Sequence, residues 1–170
     1  MNNQEYDKPS LADSFKKSGS IDRIILIFAT WFGAGFLPFA PGTWGSLAAL
    51  PFAAGAYSLG IIPSCLALVF ILIISIPISG AASKIFKRDD PSPVVIDEVA
   101  GVFVTLFLIP ISWGSIAAGF ILFRFFDILK PFPIGLVDKR IKGGAGIVLD
   151  DVVAGVFANI CVRGILLLFN

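Results

Sequence analysis

The sequence predicts an integral membrane protein with about four membrane-crossing helices and a re-entrant or interfacial segment near its N-terminus. Three observations lead to this prediction. Hydrophobic residues make up 56% of the 170 residues and charged residues only 15%, whereas about a quarter of an ordinary soluble domain is charged. The apolar residues form runs close to the ~20 residues that a helix needs to cross a bilayer. The basic residues gather in patches before or between these runs.

The chain divides into a polar N-terminal tail, residues 1–20, and a single membrane-embedded helical domain, residues 21–170. The tail has no small-residue cleavage site after a short apolar core, so we do not predict a signal peptide. The net charge of +1 gives no general attraction for nucleic acid, and none is expected as a partner. Six apolar runs follow the tail, at about 21–40, 44–62, 64–80, 94–111, 113–129 and 147–169.

Basic residues beside membrane-crossing helices predict which side of the membrane each loop faces, because such residues favour the cytoplasm. The three basic patches are Lys8 to Arg23, Lys84 to Arg88, and Lys130 to Lys142. All three face the cytoplasm if the run 21–40, which glycines and prolines interrupt, turns back or lies along the surface. This topology also brings the candidate polar residues to the cytoplasmic face.

The residue types exclude several kinds of site. The chain has no histidine, which excludes histidine phosphatases, a Ser-His-Asp triad and a His-ligated zinc site. It has no GxxxxGK[ST] segment and therefore no P-loop. Cys65 and Cys161 lie inside apolar runs and are expected to be packed thiols.

A repeated motif, D-x-V-A-G-V-F, carries doubled acids. It occurs as "DEVAGVF" at 97–103 and "DVVAGVF" at 151–157. Within each copy the acid and the glycine lie one helical turn apart, so two such helices packed through their glycines bring the acids together. Acids at helix starts also offset the helix dipole, but four close carboxylates favour a shared cation. We predict a Mg²⁺ site, or alternatively a Mn²⁺ site, with these ligands: Asp97, Glu98, Asp150 and Asp151.

The segment "FRFFDILKPFPI" at 123–134 places charges near the end of another run. Arg124, Asp127 and Lys130 lie on roughly one helical face, and Pro131 and Pro133 predict that the helix stops there. Ionic groups inside an apolar run are usually paired or functional, although lysines at helix ends also extend to the interface. Arg124 and Lys130 would suit a phosphate.

Two glycine-containing segments are candidate anion sites. In "APGTWGS" at 40–46, Thr43 is a candidate N-cap, and Gly42 and Gly45 allow close backbone approach. Free N–H groups at a helix start bind anions, and "KGGAG" at 142–146 could form a similar cradle. The polar "KRDDPSP" at 87–93 predicts a solvated turn.

A carboxylate-held metal with nearby cations at a membrane surface favours phosphoryl transfer on a phospholipid headgroup. Three alternatives stay open. The acids could form the ion path of a cation transporter, the site could serve another lipid phosphate, or the chain could be a non-catalytic membrane scaffold.

Four ordered segments resemble the successive motifs of the bacterial phosphatidylglycerophosphatase A family, over about residues 28–164. They are "FGAGFLPFAPGTWGSLAALPF", "VVIDEVAGVFVTLFLIP", "FRFFDILKPFPI" and "GGAGIVLDDVVAGVFAN". The resemblance implies a compact all-α bundle. It also implies Mg²⁺-dependent hydrolysis of phosphatidylglycerophosphate to phosphatidylglycerol at the cytoplasmic membrane of a bacterium, with the active site facing the cytoplasm.

The resemblance further implies residue roles. Metal binding is expected of Asp97, Glu98, Asp150 and Asp151. Catalysis is expected of Asp127, as a further metal ligand or a general base, and of Arg124 and Lys130. Substrate binding is expected of Thr43, Ser46, Arg124, Lys130 and Asp138. Water is favoured over an aspartyl nucleophile because the chain contains no D-x-D segment.

Overall fold

The computed structural model describes residue 16 and residues 18–169. The predicted polar tail falls largely on residues 1–15 and 17, which lie outside this part of the chain. The described residues form helices and no strands, which confirms the all-α prediction. The helices are α1 (Ser20–Ala29), a 3₁₀ helix (Ala34–Phe36), α2 (Pro41–Ser58), α3 (Ile61–Phe86), α4 (Ile96–Leu106), α5 (Trp113–Leu129), α6 (Ile134–Arg140) and α7 (Gly143–Phe169).

The local sequence explains several helix boundaries. Pro41 is the first residue of α2, where its missing N–H has no helical partner to lose. Ser112 and Ser115 form a reciprocal capping box at the start of α5. The same helix ends at Leu129, just before Pro131, as the sequence predicted. The short helix α6 was not predicted, because the segment after Pro131 reads as a polar loop.

The run 21–40 is interrupted, as its glycines and prolines predicted. Helix α1 ends at Ala29, and the next residues form a turn in which Trp31, Phe32 and Gly33 have positive φ. The Thr30 hydroxyl stabilises this turn, donating to the Leu26 carbonyl at 2.7 Å and accepting from the Gly33 N–H at 3.2 Å. This segment is therefore a short helix, a turn and one 3₁₀ turn.

Helix α4 is the innermost helix of the bundle, packed against α2, α3, α5 and α7. Most of its residues are buried, including Ile96, Val99 and Leu106, each 0% exposed. Its 11 residues extend only ~16 Å, about half of the ~30 Å hydrocarbon layer. The predicted run 94–111 is thus a short buried helix followed by a non-helical segment.

Helices α4 and α7 pack through the two glycines of the repeated motif, which confirms the predicted close approach. A Cβ on Gly155 would lie 2.5 Å from the Gly101 carbonyl oxygen. A Cβ on Gly101 would lie 2.9 Å from the Asp151 carbonyl oxygen and would overlap the Phe123 ring. Any larger residue at either position would separate the two backbones.

Side chains of α7 satisfy the carbonyl groups at the far end of α4. The Asn159 amide donates to the carbonyls of Thr105 at 2.8 Å and Phe107 at 2.9 Å. The Arg163 guanidinium donates to the Phe107 carbonyl at 3.0 Å and to the Asn159 side chain at 2.8 Å. The carbonyls at the end of a helix have no partners within it, so these bonds fix α4 against α7.

Two helices among the described residues, α3 and α7, are long and apolar enough to cross a membrane. In the most apolar 18-residue stretch of each helix, only 17% of α3 and 28% of α7 is buried. The core helix of a soluble protein is mostly buried. Helix α3 exposes Ile62, Leu66, Phe70 and Ile73, each more than 60% exposed. A continuous apolar surface of this kind suits contact with lipid.

Candidate active site

A cavity of about 610 Å³ opens where the starts of α2, α4 and α7 meet the end of α5. Helix α6 and the loop between α3 and α4 complete its wall. The ionisable residues that line it are Asp89, Asp90, Asp97, Glu98, Asp127, Lys130, Asp138, Lys142, Asp150 and Asp151.

Three of the four predicted metal ligands meet at the inner end of this cavity. Asp97, Glu98 and Asp151 each offer a carboxylate oxygen, and these oxygens lie within 4.8 Å of one another. The close packing of α4 on α7 brings them together, because Asp97 and Asp151 lie one turn before Gly101 and Gly155. Asp97 is 8% exposed and Asp151 4% exposed.

The donor set fits a divalent cation. Asp97 Oδ1 and Glu98 Oε2 are buried and have no hydrogen-bond partner. A buried carboxylate oxygen without a donor is costly, and a hard cation with oxygen ligands removes that cost. A divalent cation that prefers oxygen ligands therefore matches the chemistry of the three residues, and its identity as Mg²⁺ stays a prediction.

Asp150, the fourth predicted ligand, lies beside this group and not in it. Its Oδ2 accepts a hydrogen bond from the Lys130 ammonium at 2.6 Å. Its Oδ1 is buried without a hydrogen-bond partner, and the residue lines the same cavity. Metal binding by Asp150 stays a prediction.

Lys130 is held by two carboxylates at the rim of the cavity. It follows the last residue of α5 with a positive φ of 43° and reaches Asp138 Oδ1 of α6 at 3.2 Å as well as Asp150. Burial alone would lower the pKa of Lys130, but the bonds to Asp150 and Asp138 outweigh it and raise the pKa. The side chain is therefore a stable cation at the point where a phosphate could enter.

Asp127 and Arg124 form an ion pair on α5. Arg124 Nη1 lies 2.6 Å from Asp127 Oδ2 and 3.8 Å from Glu98 Oε1. Asp127 lines the cavity, whereas Arg124 is not among the lining residues. The two predicted catalytic residues are thus adjacent, but only the acid faces the space where a substrate could bind.

Thr43 and Ser46 lie in the first turns of α2, and neither is among the residues that line the cavity. The buried Ser46 hydroxyl donates to the Gly42 carbonyl at 2.7 Å. The prediction of Thr43 as the N-cap is wrong: Ala40 holds that position in a left-handed conformation, because Pro41 takes the first helical place. Substrate binding by Thr43 and Ser46 stays a prediction.

The loop between α3 and α4 is an exposed turn, as predicted, but sequence reasoning missed that its acids also line the cavity. Asp89 and Asp90 line the cavity, and the Ser83 hydroxyl holds the loop by donating to the Arg88 carbonyl at 2.5 Å and the Asp89 carbonyl at 3.2 Å. Desolvation raises the pKa of Asp90, with Lys130 opposing and nearby acids adding to the shift. The available signal was a third acidic doublet, seven residues before Asp97.

Comparison with known proteins gives one consistent family. The family model described as Phosphatidylglycerophosphatase A matches residues 27–166. The chain is 40% identical to Phosphatidylglycerophosphatase A of Haemophilus influenzae, over 83% of this chain and 88% of that protein. It is 38% identical to Phosphatidylglycerophosphatase A of Escherichia coli, over 78% and 77%.

A third relative carries a different name. The chain is 39% identical to a Putative phosphatidylinositol-3-phosphatase of Bacteroides thetaiotaomicron, over 81% of this chain and 90% of that protein. No solved structure matches the chain at a significant level. The family match covers every residue that lines the cavity.

Proposed function

Because this chain belongs to the phosphatidylglycerophosphatase A family and is therefore a phosphatase, we propose that it releases the terminal phosphate of phosphatidylglycerophosphate. The product is phosphatidylglycerol. The observation that carries the proposal is the group of Asp97, Glu98 and Asp151 at the inner end of an open, lysine-rimmed cavity. The acidic inner end is complementary to a divalent cation, and the lysine at the rim is complementary to a phosphate monoester.

Asp97, Glu98 and Asp151 would hold Mg²⁺, with Asp150 beside them. When bound, this metal would acidify a coordinated water and neutralise charge on the phosphoryl oxygens.

The protein residues would supply the remaining steps. Lys130 lies within reach of both the cavity and Asp150, so it can exchange a carboxylate partner for a phosphate oxygen. Asp127 lines the cavity with its Oδ2 held by Arg124, and it would accept the proton of the attacking water or complete the metal site. The water oxygen forms the new bond to phosphorus and the bond to the glycerol oxygen breaks. That oxygen takes a proton from the solvent in the open cavity, which balances the proton that the attacking water loses.

We further propose a multi-pass protein of the bacterial cytoplasmic membrane whose cavity faces the cytoplasm. The lipid-compatible surfaces of α3 and α7 support this location. The basic residues Lys84, Lys87 and Arg88 directly precede the cavity-lining loop, and Lys139 and Lys142 follow α5 near the same cavity. Such residues favour the cytoplasmic side. A lipid phosphate would then enter from the headgroup layer.

A second candidate substrate is a phosphoinositide, since a relative at 39% identity has the name Putative phosphatidylinositol-3-phosphatase. The same metal and lysine chemistry would act on either headgroup. Purified protein in detergent, with Mg²⁺ present, should therefore be tested on phosphatidylglycerophosphate, phosphatidylinositol 3-phosphate and phosphatidate in parallel. The highest kcat/KM on phosphatidylglycerophosphate would support the first assignment.

A preference for the phosphoinositide would replace that assignment with the second. Release from none of the three lipids, by folded and Mg²⁺-loaded protein, would contradict a lipid phosphatase role for this cavity.

A further inference from the structure

Arg124 occupies a position behind the cavity wall. Its side chain is 15% exposed, and the residue is absent from the cavity lining although its two carboxylate partners, Glu98 and Asp127, are present. A group that receives substrate phosphate has to reach the space that the substrate enters. The observed position therefore points to a different task from the phosphate contact that the sequence suggested.

The guanidinium is confined from the opposite side by the start of α2. A Cβ on Gly42 would lie 3.0 Å from Arg124 Nη1 and would overlap Glu98 Oε1. Only glycine leaves room for the glutamate and the arginine to meet at this point. Three helices therefore fix one contact: α2 through Gly42, α4 through Glu98, and α5 through the arginine.

The two carboxylate oxygens of Glu98 have different surroundings as a result of this contact. Oε1 lies 3.8 Å from Arg124 Nη1, whereas Oε2 is buried without a hydrogen-bond partner. Oε2 is thus left for a ligand, as is the unpartnered Oδ1 of Asp97 in the same group of acids. Asp127 is oriented in the same way, since its Oδ2 accepts from the same nitrogen at 2.6 Å.

We propose that Arg124 is a positioning residue that orients Glu98 and Asp127 for a divalent cation, and that it does not contact the substrate phosphate. Gly42 contributes to the same arrangement, because its lack of a side chain leaves the space in which the arginine and the glutamate meet. The inference rests on the proposed metal-dependent phosphatase function. Residues that orient metal ligands typically change metal affinity about 10- to 100-fold when they are replaced.

The test is Mn²⁺ binding to the full-length protein in detergent without substrate, followed by electron paramagnetic resonance. Arg124→Gln should raise the Kd for Mn²⁺ about 10- to 100-fold. At saturating Mn²⁺ its KM for phosphatidylglycerophosphate should stay within about twofold of the unaltered protein, because no substrate contact is lost. Arg140→Gln, which removes an exposed arginine of α6, is the matched control and should change neither quantity.

Gly42→Ala is a second test of the same inference, and it leaves every charged residue in place. The added methyl should displace Glu98 and raise the Kd for Mn²⁺ as well, so the inference can be tested even if Arg124→Gln folds poorly. Unchanged Mn²⁺ affinity in Arg124→Gln, with a KM raised tenfold or more, would overturn the positioning role and leave the proposed function intact. Failure of the unaltered protein to bind Mn²⁺ would overturn the proposed metal site and this inference together.

Discussion

Asp97 and Asp151 are buried carboxylates in an apolar bundle, where an ionised acid needs a partner. The repeat of D-x-V-A-G-V-F made both residues predictable, because the spacing of acid and glycine fixes which residues meet when the helices pack. The doubling of acids did not reveal that Asp150 turns toward Lys130. That outcome depends on the left-handed conformation of Lys130 and on α6, neither of which leaves a periodic signal.

Replacing one acid of the group of three by asparagine removes a charge with little change in shape, and it should strongly slow catalysis. Asp97→Asn and Asp151→Asn should each lower kcat by about 100-fold or more, since a metal supplies several kcal/mol of charge stabilisation in the transition state. Phosphate release at saturating Mg²⁺ measures the effect. Asp22→Asn on α1, outside the cavity lining, is the control, and normal turnover by both inner variants would refute the assigned role.

The ion pair between Lys130 and Asp150 should stabilise the fold as well as the site. Lys130→Met leaves a carboxylate that is 6% exposed without its cation, so thermal stability in detergent should fall. Adding Asp150→Asn should restore part of it, giving a coupling energy of about 0.5–3 kcal/mol. The exposed Lys139, replaced by Met, is the control. Strictly additive losses in the double variant would show that the two groups are not coupled.

At the scale of elements, the approximate positions of most helices could be predicted from the sequence, but their lengths could not. The run 94–111 is apolar throughout, so the sequence gives no sign that α4 ends at Leu106. Tertiary contacts set this end, because the side chains of Asn159 and Arg163 of α7 donate hydrogen bonds to the carbonyl groups there. The exposed turn at 87–93 was predicted, but its place in the cavity wall was not, because its polarity suits solvent and a polar cavity equally.

The glycine contact between α4 and α7 predicts different outcomes for two alanine substitutions on the same helix. Gly155→Ala should destabilise the protein by about 1–3 kcal/mol, because a Cβ there meets the backbone of α4. Gly164→Ala should be neutral or stabilising by up to ~1 kcal/mol, because a Cβ there has no neighbour within 4 Å and alanine favours helix. Thermal unfolding in detergent compares them. Equal effects would contradict the close packing.

At the scale of the whole molecule, composition predicted a membrane protein and the basic patches predicted its orientation. Helices α3 and α7 agree with the first prediction by length and exposed apolar surface. The half-length of α4 shows why counting apolar runs is insufficient: a buried inner helix and a lipid-facing helix have equally apolar sequences. The number of crossings therefore stays a prediction.

The orientation predicts where fused reporters will lie. Green fluorescent protein fused after Pro91, in the loop that lines the cavity, should fluoresce because it remains in the cytoplasm. The same reporter fused after Ile111, at the other end of the α4 segment, should be dark because it is exported unfolded. Whole-cell fluorescence with matched expression measures both. A dark fusion after Pro91 would contradict the proposed cytoplasmic cavity.

The central claim is that the carboxylates of Asp97, Glu98 and Asp151 act through a divalent metal to hydrolyse a lipid phosphate. Its most direct test is phosphate release from phosphatidylglycerophosphate by purified protein in detergent, with Mg²⁺, with EDTA, and with Mg²⁺ restored after EDTA. The account predicts release with Mg²⁺, loss with EDTA and recovery on restoring the metal. Undiminished release in EDTA would contradict it, because the three acids would then have no metal to share.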